Sequence, residues 1–170
     1  MIALIGTHGV GKSSLLKAVK EQRPDLIIND GDSRVVKNFN KSIGNKLTDK
    51  EEQLLINTFS DTKWHQQVAL DNLCLTRTPL DHYAYASLLG WHDLAGSRLN
   101  LFEESDWESI KFFYIPIEFD LEDDGVRYVD PDFQKEVDCV LRAQIKRFNI
   151  NVIELSGSIE NRVKTFIDNI

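Results

Sequence analysis

Short apolar runs alternate with longer amphipathic stretches along the chain. Runs of strand length occupy residues 2–5, 26–28, 73–75, 112–117 and 152–155, and each is separated from the next by more than a hairpin turn. Continuous apolar strands joined by long connections are typical of a parallel sheet that is covered on both faces. The pattern therefore predicts an α/β fold in which helices flank a five-stranded parallel sheet.

The stretches between these runs carry signals for helices. One helix follows the glycines at residues 6–11 and ends before Pro24. Thr48 and Glu51 form a capping box for a long helix, Asp130 caps another helix, and Ser158 caps the last. A further, aromatic helix is expected around residues 82–86, and exposed loops at 40–45 and 119–132. The apolar stripes of the capped helices are expected to face the core; they are Leu54, Leu55, Phe59, Val68, Phe133, Val137, Leu141, Ile145, Phe148, Ile159, Val163, Phe166, Ile167 and Ile170.

Composition narrows the class of protein. The 170 residues, 42% of them hydrophobic and 28% charged, suit one globular domain over residues 1–170. A net charge of −7 disfavours nucleic acid as the main partner. Cys74 and Cys139 are expected to be buried thiols. With no apolar stretch of membrane length, a cytoplasmic location without a membrane partner is expected.

The segment from Gly6 to Ser13, GTHGVGKS, is a complete Walker A phosphate-binding loop between a strand and a helix. Its glycines allow a tight turn whose N–H groups point at phosphate oxygens. We expect ATP on this loop, with Lys12 at the β and γ phosphates and the Ser13 hydroxyl as a ligand of Mg²⁺. The expected ATP-binding residues are Thr7, His8, Gly9, Val10, Gly11, Lys12, Ser13 and Ser14.

Three further segments predict an acceptor site at the same edge of the sheet. Asp30, Asp32 and Arg34 follow the second strand; either Asp32 or Asp30 is placed to accept a proton or to hold a metal-bound water. Arg77 follows the third strand and is expected to face the crevice of Lys12, where it would either neutralise charge on the transferred phosphoryl group or hold a substrate phosphate bidentately. Arg127 lies on an acidic loop that is expected to close over the phosphates.

A GTPase is the first alternative, because Asp93 and Gly96 copy the D-x-x-G pattern of that class. No guanine-reading N-K-x-D motif follows them, however. The sequence therefore disfavours a GTPase.

On these residues the chain resembles the small P-loop nucleoside and nucleotide kinases, in particular their ribosylnicotinamide kinase-like and thymidylate kinase-like single-domain members from bacteria and phages. The resemblance implies a P-loop NTPase three-layer sandwich and a lid-like segment at about 118–132. It also implies that Arg77 lies near the phosphate or sugar of the substrate and that Arg127 is the lid arginine. At the position of Thr76 these kinases usually have an acidic residue that contributes to the magnesium or substrate site. Either Asp30 or Asp32 takes over this contribution, or Asp81 reaches into the site, or the activity is weaker or altered.

The main functional hypothesis is an ATP-dependent kinase that phosphorylates a nucleoside or a (deoxy)nucleoside monophosphate. Lys12, Asp32, Arg77 and Arg127 would carry the catalysis, while Gln66 and Tyr83 would join Asp30 and Arg34 in binding the acceptor. Two alternatives stay open: a polynucleotide or modified-base DNA kinase, and a nucleotide-dependent regulatory switch, which Thr76 favours. A homodimer is also left open.

Overall fold

The fold is an alternating arrangement of strands and helices. The computed structural model describes residues 1–29, 32–67, 72–120 and 130–170, without the side chains at positions 32, 34, 63 and 65–67. In chain order the elements are β1 (Ile2–Ile5), α1 (Lys12–Gln22), β2 (Ile27–Asn29), α2 (Asp32–Ser42), α3 (Asp49–Gln67), β3 (Leu73–Leu75), α4 (Pro79–Leu88), α5 (His92–Glu103), β4 (Lys111–Tyr114), α6 (Pro131–Arg147), β5 (Val152–Glu154) and α7 (Ile159–Asp168).

The five strands form one parallel sheet in the order β2-β3-β1-β4-β5. The strand that precedes the phosphate loop is therefore central, with β3 on one side and β4 on the other. All five predicted strands are confirmed, with small shifts of their ends. β4 stops earlier than predicted, before Pro116, which has no N–H group to extend the ladder.

Alternate residues of β1 enter two separate cores. Ile2 and Leu4 pack on the face covered by α1 and α7, whereas Ala3 and Ile5 pack on the face covered by α4 and α6. This follows from the period of two along a strand, since successive side chains point to opposite faces. Both faces are thus covered, which confirms the three-layer α/β sandwich.

The predicted caps are present at the helix ends. Thr48 and Glu51 bond reciprocally, at 2.8 Å for Thr48 N to Glu51 Oε2 and 3.3 Å for Glu51 N to Thr48 Oγ1. Asp130 accepts from the N–H groups of residues 132 and 133, and Ser158 accepts from Asn161 N. These bonds satisfy N–H groups that a helix cannot satisfy internally.

Some expectations about exposure were wrong. Leu54, Phe59 and Ile159 are exposed, and so is Cys139, while Val68 lies outside the described residues. Among the described side chains of α3, the buried apolar ones are instead Ile56 and Trp64. The segment predicted as a loop at 40–45 begins inside α2, where buried Asn40 bonds to Leu47 and Glu52. No described helix is long and apolar enough to cross a membrane.

Helices α3 and α4 meet around a buried histidine. His82 is 3% exposed, and its Nδ1 lies 3.4 Å from Nε2 of Gln53. Burial and, to a smaller extent, the nearby positive charge of Arg77 together lower the pKa of His82 to about 3. The ring is therefore neutral throughout the physiological range.

Two glycine substitutions should act in opposite directions. At Gly6, with φ 156°, an added Cβ would lie 2.8 Å from the carbonyl oxygen of Ile115, whereas at helical Gly96 an added Cβ meets nothing within 4 Å. We expect Gly6→Ala to lower the free energy of unfolding by about 2 kcal/mol or more. Gly96→Ala should raise it by about 0.5–1 kcal/mol. Urea denaturation measures the free energy of unfolding of both variants. An unchanged free energy in Gly6→Ala would contradict the close approach of a Cβ at position 6 to the Ile115 carbonyl oxygen.

Acidification should destabilise the fold through His82. Its pKa in the folded state lies below the ordinary 6.5, so the unfolded chain binds the extra proton and stability is lost as the pH falls below 6.5. Between pH 7.5 and pH 5.5 the loss from this group should be about 1.4 kcal/mol. His82→Gln should abolish this pH-dependent loss of unfolding free energy, as measured by urea denaturation at the two pH values. The control His92→Gln, at an exposed histidine, should retain the loss. Equal pH dependence in both variants would contradict the assignment.

Candidate phosphate-binding site

The phosphate loop lies at the carboxyl edge of the sheet, between central β1 and α1. Gly9 and Gly11 adopt left-handed conformations with φ 77° and 89°, which other residues adopt only with strain. Gly11 is also the N-cap of α1, and it has no side chain to bond the first-turn N–H groups. Those N–H groups and the positive end of the helix dipole are suited to an anion.

Lys12 is turned back against the loop. Its side chain is buried, and its Nζ donates to the carbonyl oxygen of Thr7 at 2.6 Å and to that of Gly6. The ammonium is therefore fixed within the same loop as the glycine N–H groups. Ser13 follows in the first turn of α1 and is partly exposed, so its hydroxyl suits a metal ion shared with a phosphate oxygen.

Side chains from distant helices hold the loop from outside. Gln134 on α6 donates to the carbonyl oxygen of His8 at 2.7 Å, and Arg162 on α7 donates to that of Val10 at 2.8 Å. From α4, the Tyr85 hydroxyl accepts from His8 N at 3.0 Å and lies 2.8 Å from His8 Nδ1. The loop is thus anchored from both sides of β1.

On the β3 side, a buried carboxylate joins an arginine to the loop. Asp81 is fully buried, and its Oδ2 accepts from both the N–H and the hydroxyl of Thr78 at 2.8 Å. Its Oδ1 lies 3.5 Å from both Gly6 N and Nη1 of Arg77. Arg77 also approaches the Gly6 carbonyl oxygen at 3.4 Å, and its guanidinium lies 5.2 Å from the centre of the Tyr85 ring. The structure therefore brings Lys12, Arg77 and Asp81 together at the start of the loop.

Thr76 is tied to the neighbouring strand. Its N–H and its hydroxyl both donate to the carbonyl oxygen of Asn29, at 3.4 Å and 3.3 Å. Of the three acids that the sequence offered in its place, Asp81 is the one whose carboxylate the structure locates at the loop. Asp30 and the side chain of Asp32 lie outside the described residues.

The other expected acceptor residues are only partly located. Arg127 and the side chains of Arg34 and Gln66 lie outside the described part of the chain. Tyr83 is on α4, two positions and so about 200° around the helix from Tyr85, and only one of the two can face the loop. Among the described residues no group of three or more His, Cys, Asp or Glu side chains is placed to hold a metal ion.

Sequence reasoning gave no role to two residues that contact the loop. Gln134 and Arg162 lie 126 and 152 positions from the residues they contact. Tyr85 did carry a signal, as part of the aromatic helix. The D-x-x-G copy at Asp93 and Gly96 lies inside α5, which agrees with the sequence argument against a GTPase.

Comparisons with known proteins agree with this geometry. A family model described as an AAA domain matches residues 1–162. Deoxyadenosine kinase from M. mycoides has a TM-score of 0.69 at 12% identity, over 98% of this chain and 96% of that one. NadR protein in complex with NR has a TM-score of 0.70 at 13% identity, over 99% of this chain and 50% of that one. Thymidylate kinase from Candida albicans has a TM-score of 0.64 at 16% identity, over 98% and 88%.

A search among curated proteins finds no match. At such identities the structural likeness shows the fold, and it confirms at that level the resemblance to P-loop nucleoside and nucleotide kinases. The family match is broader than the loop, since it extends from β1 into α7. The chain therefore belongs to the AAA domain family and has the P-loop fold of these kinases.

Proposed function

We propose that this protein is an ATP-dependent kinase that transfers the γ-phosphoryl group to a nucleoside or a (deoxy)nucleoside monophosphate. The observation that carries the proposal is the pairing of Arg77 with buried Asp81 beside the phosphate loop. A phosphate loop alone serves many classes of protein. A fixed arginine on one side of it adds a second anion-binding group, which transfer to an acceptor requires.

The donor half of the site is the loop itself. The N–H groups from Gly9 to Ser14 would bind the phosphates of ATP, and Lys12 would leave the loop carbonyls to bind the β and γ phosphates. Ser13 would be a ligand of Mg²⁺. Mg²⁺ held there would neutralise negative charge that develops on the phosphates.

The acceptor half lies on the β3 side. During transfer the bond from the γ phosphorus to the bridging oxygen breaks, a bond to the acceptor oxygen forms, and ADP leaves. Arg77 would stabilise the charge on the phosphoryl oxygens. A nucleoside hydroxyl must also lose a proton, for which Asp32 or Asp30 remains the proposed base, whereas a monophosphate acceptor is already ionised.

The remaining expectations complete the proposal. Arg34, Gln66 and Tyr83 would contact the acceptor, and Arg127 would close the lid-like segment at about 118–132 of a single domain. The solved structures of similar fold support the acceptor class. One is described with the products dCMP and dCDP, another is in complex with NR, and a third is a thymidylate kinase.

An acceptor panel tests the activity. Nucleosides and nucleoside monophosphates are incubated with the protein, ATP and Mg²⁺, with ADP release and product mass as the two measurements. We expect ADP to form in equal amount with one phosphorylated acceptor. Lys12→Ala should abolish the product because it removes the charge at the phosphates, whereas Lys17→Ala, at an exposed lysine of the same helix, should not.

Two results would contradict a nucleoside or nucleotide kinase once DNA is added to the panel of acceptors. Binding of ATP with no phosphorylated acceptor would favour the regulatory switch, in which nucleotide controls a partner contact. Phosphorylation of DNA ends or bases alone, with salt-sensitive DNA binding, would favour the polynucleotide kinase.

Asp81→Asn tests the anchor of Arg77. The amide keeps the size of the side chain but turns one acceptor oxygen into a donor facing Thr78 or Arg77. We expect kcat to fall by about 10- to 100-fold, and the free energy of unfolding to fall by about 1–2 kcal/mol through the weakened cap. Asp93→Asn, at an exposed first-turn acid of α5, is the matched control. An unchanged kcat in Asp81→Asn would show that the contact between Asp81 and Arg77 does not contribute to catalysis.

A further inference from the structure

Two peptide groups of the phosphate loop are held through their carbonyl oxygens by side chains of α6 and α7. Gln134 holds the carbonyl oxygen of His8, and Arg162 holds that of Val10. A trans peptide is planar, so its C=O and the N–H of the next residue point in opposite directions. Holding these two oxygens on the outside therefore directs the N–H groups of Gly9 and Gly11 to the opposite, phosphate-binding side.

Arg162 makes the more extensive of the two contacts. Its side chain is 3% exposed, and its guanidinium donates to Val10 O at 2.8 Å, to Gly157 O at 3.0 Å and to Glu118 Oε2 at 2.6 Å. The same Glu118 oxygen accepts from Gly157 N at 2.8 Å. One planar cation thus connects the loops that follow three adjacent strands, β1, β4 and β5.

We propose that Arg162 is a positioning residue for the donor nucleotide, which orients the Gly11 N–H toward the phosphates by holding the Val10 carbonyl on the far side of the loop. The inference rests on the proposed nucleotide site. It assigns to α7, the last helix of the chain, a role in phosphate binding without contact to the phosphate.

The charge of Arg162 is balanced within the same cluster. Hydrogen bonding to Arg162 lowers the pKa of Glu118, so its carboxylate stays ionised at neutral pH and the guanidinium remains fixed. The arginine also lies 5.2 Å from the centre of the Phe119 ring. A lysine cannot make the three directed bonds, because it presents a point charge instead of a planar fork.

Binding of inorganic tripolyphosphate with Mg²⁺ tests the inference without a base or an acceptor. Titration calorimetry compares the full chain with Arg162→Met, Arg162→Lys and the control Arg142→Met, which alters a half-exposed arginine of α6 paired with Asp138. We expect both Arg162 variants to bind tripolyphosphate and ATP about tenfold more weakly, the worth of one hydrogen bond to a charged group. The Arg142 variant should stay within about twofold.

Two outcomes would overturn the inference. If Arg162→Met unfolds more readily but binds tripolyphosphate as tightly as the parent protein, Arg162 is only structural. If Arg162→Lys restores the parent affinity, charge alone matters and the orientation of the peptide does not. Because no acceptor takes part in the titrations, a failure of the kinase proposal would show separately, as tight phosphate binding without product.

Discussion

Hydrogen bonds from three separate helices fix the backbone of the loop between β1 and α1, and the geometry of the site depends on them. Tyr85 of α4, Gln134 of α6 and Arg162 of α7 all bond to main-chain atoms of residues 8–10. A loop of this kind exposes carbonyl groups as well as N–H groups, and a phosphate tolerates only the N–H groups. Gln134 and Arg162 donate to the carbonyl oxygens of His8 and Val10, whereas the Tyr85 hydroxyl accepts from the His8 N–H.

The order of the strands explains why these helices can reach the loop. β1 lies in the middle of the sheet, so α4 approaches its carboxyl end from the β3 side, and the loops after β4 and β5 approach from the other. From β1 the connections lead to strands on one side of the sheet first and on the other side later. Open α/β sheets bind ligands at such a switch in strand order. The contacts that hold the loop therefore come from distant parts of the sequence.

The structural features that could be predicted are those whose signals lie close to them along the sequence. Alternating apolar runs predicted the five strands, and caps such as Thr48 and Ser158 predicted the helices, because each signal lies within a few residues of its effect. The contacts of Gln134 and Arg162 could not be predicted, since their partners are more than a hundred positions away. The exposure of Leu54 and Phe59 was missed for a related reason. An apolar stripe shows which face of a helix is hydrophobic, but the neighbouring elements decide which part of it is covered.

The position of Asp81 differs from that of an acid at the end of β3, where Thr76 stands. An acid at a strand end presents its carboxylate directly to a metal or a substrate. Asp81 instead stands in the first turn of α4, where two donors from Thr78 occupy one of its oxygens and Gly6 N and Arg77 approach the other. These contacts all come from the protein itself, and they suit a carboxylate that holds Arg77. In the proposed kinase, Arg77 held by Asp81 would meet the negative charge of the phosphoryl group in transfer, and Asp32 or Asp30 would remain the proposed base.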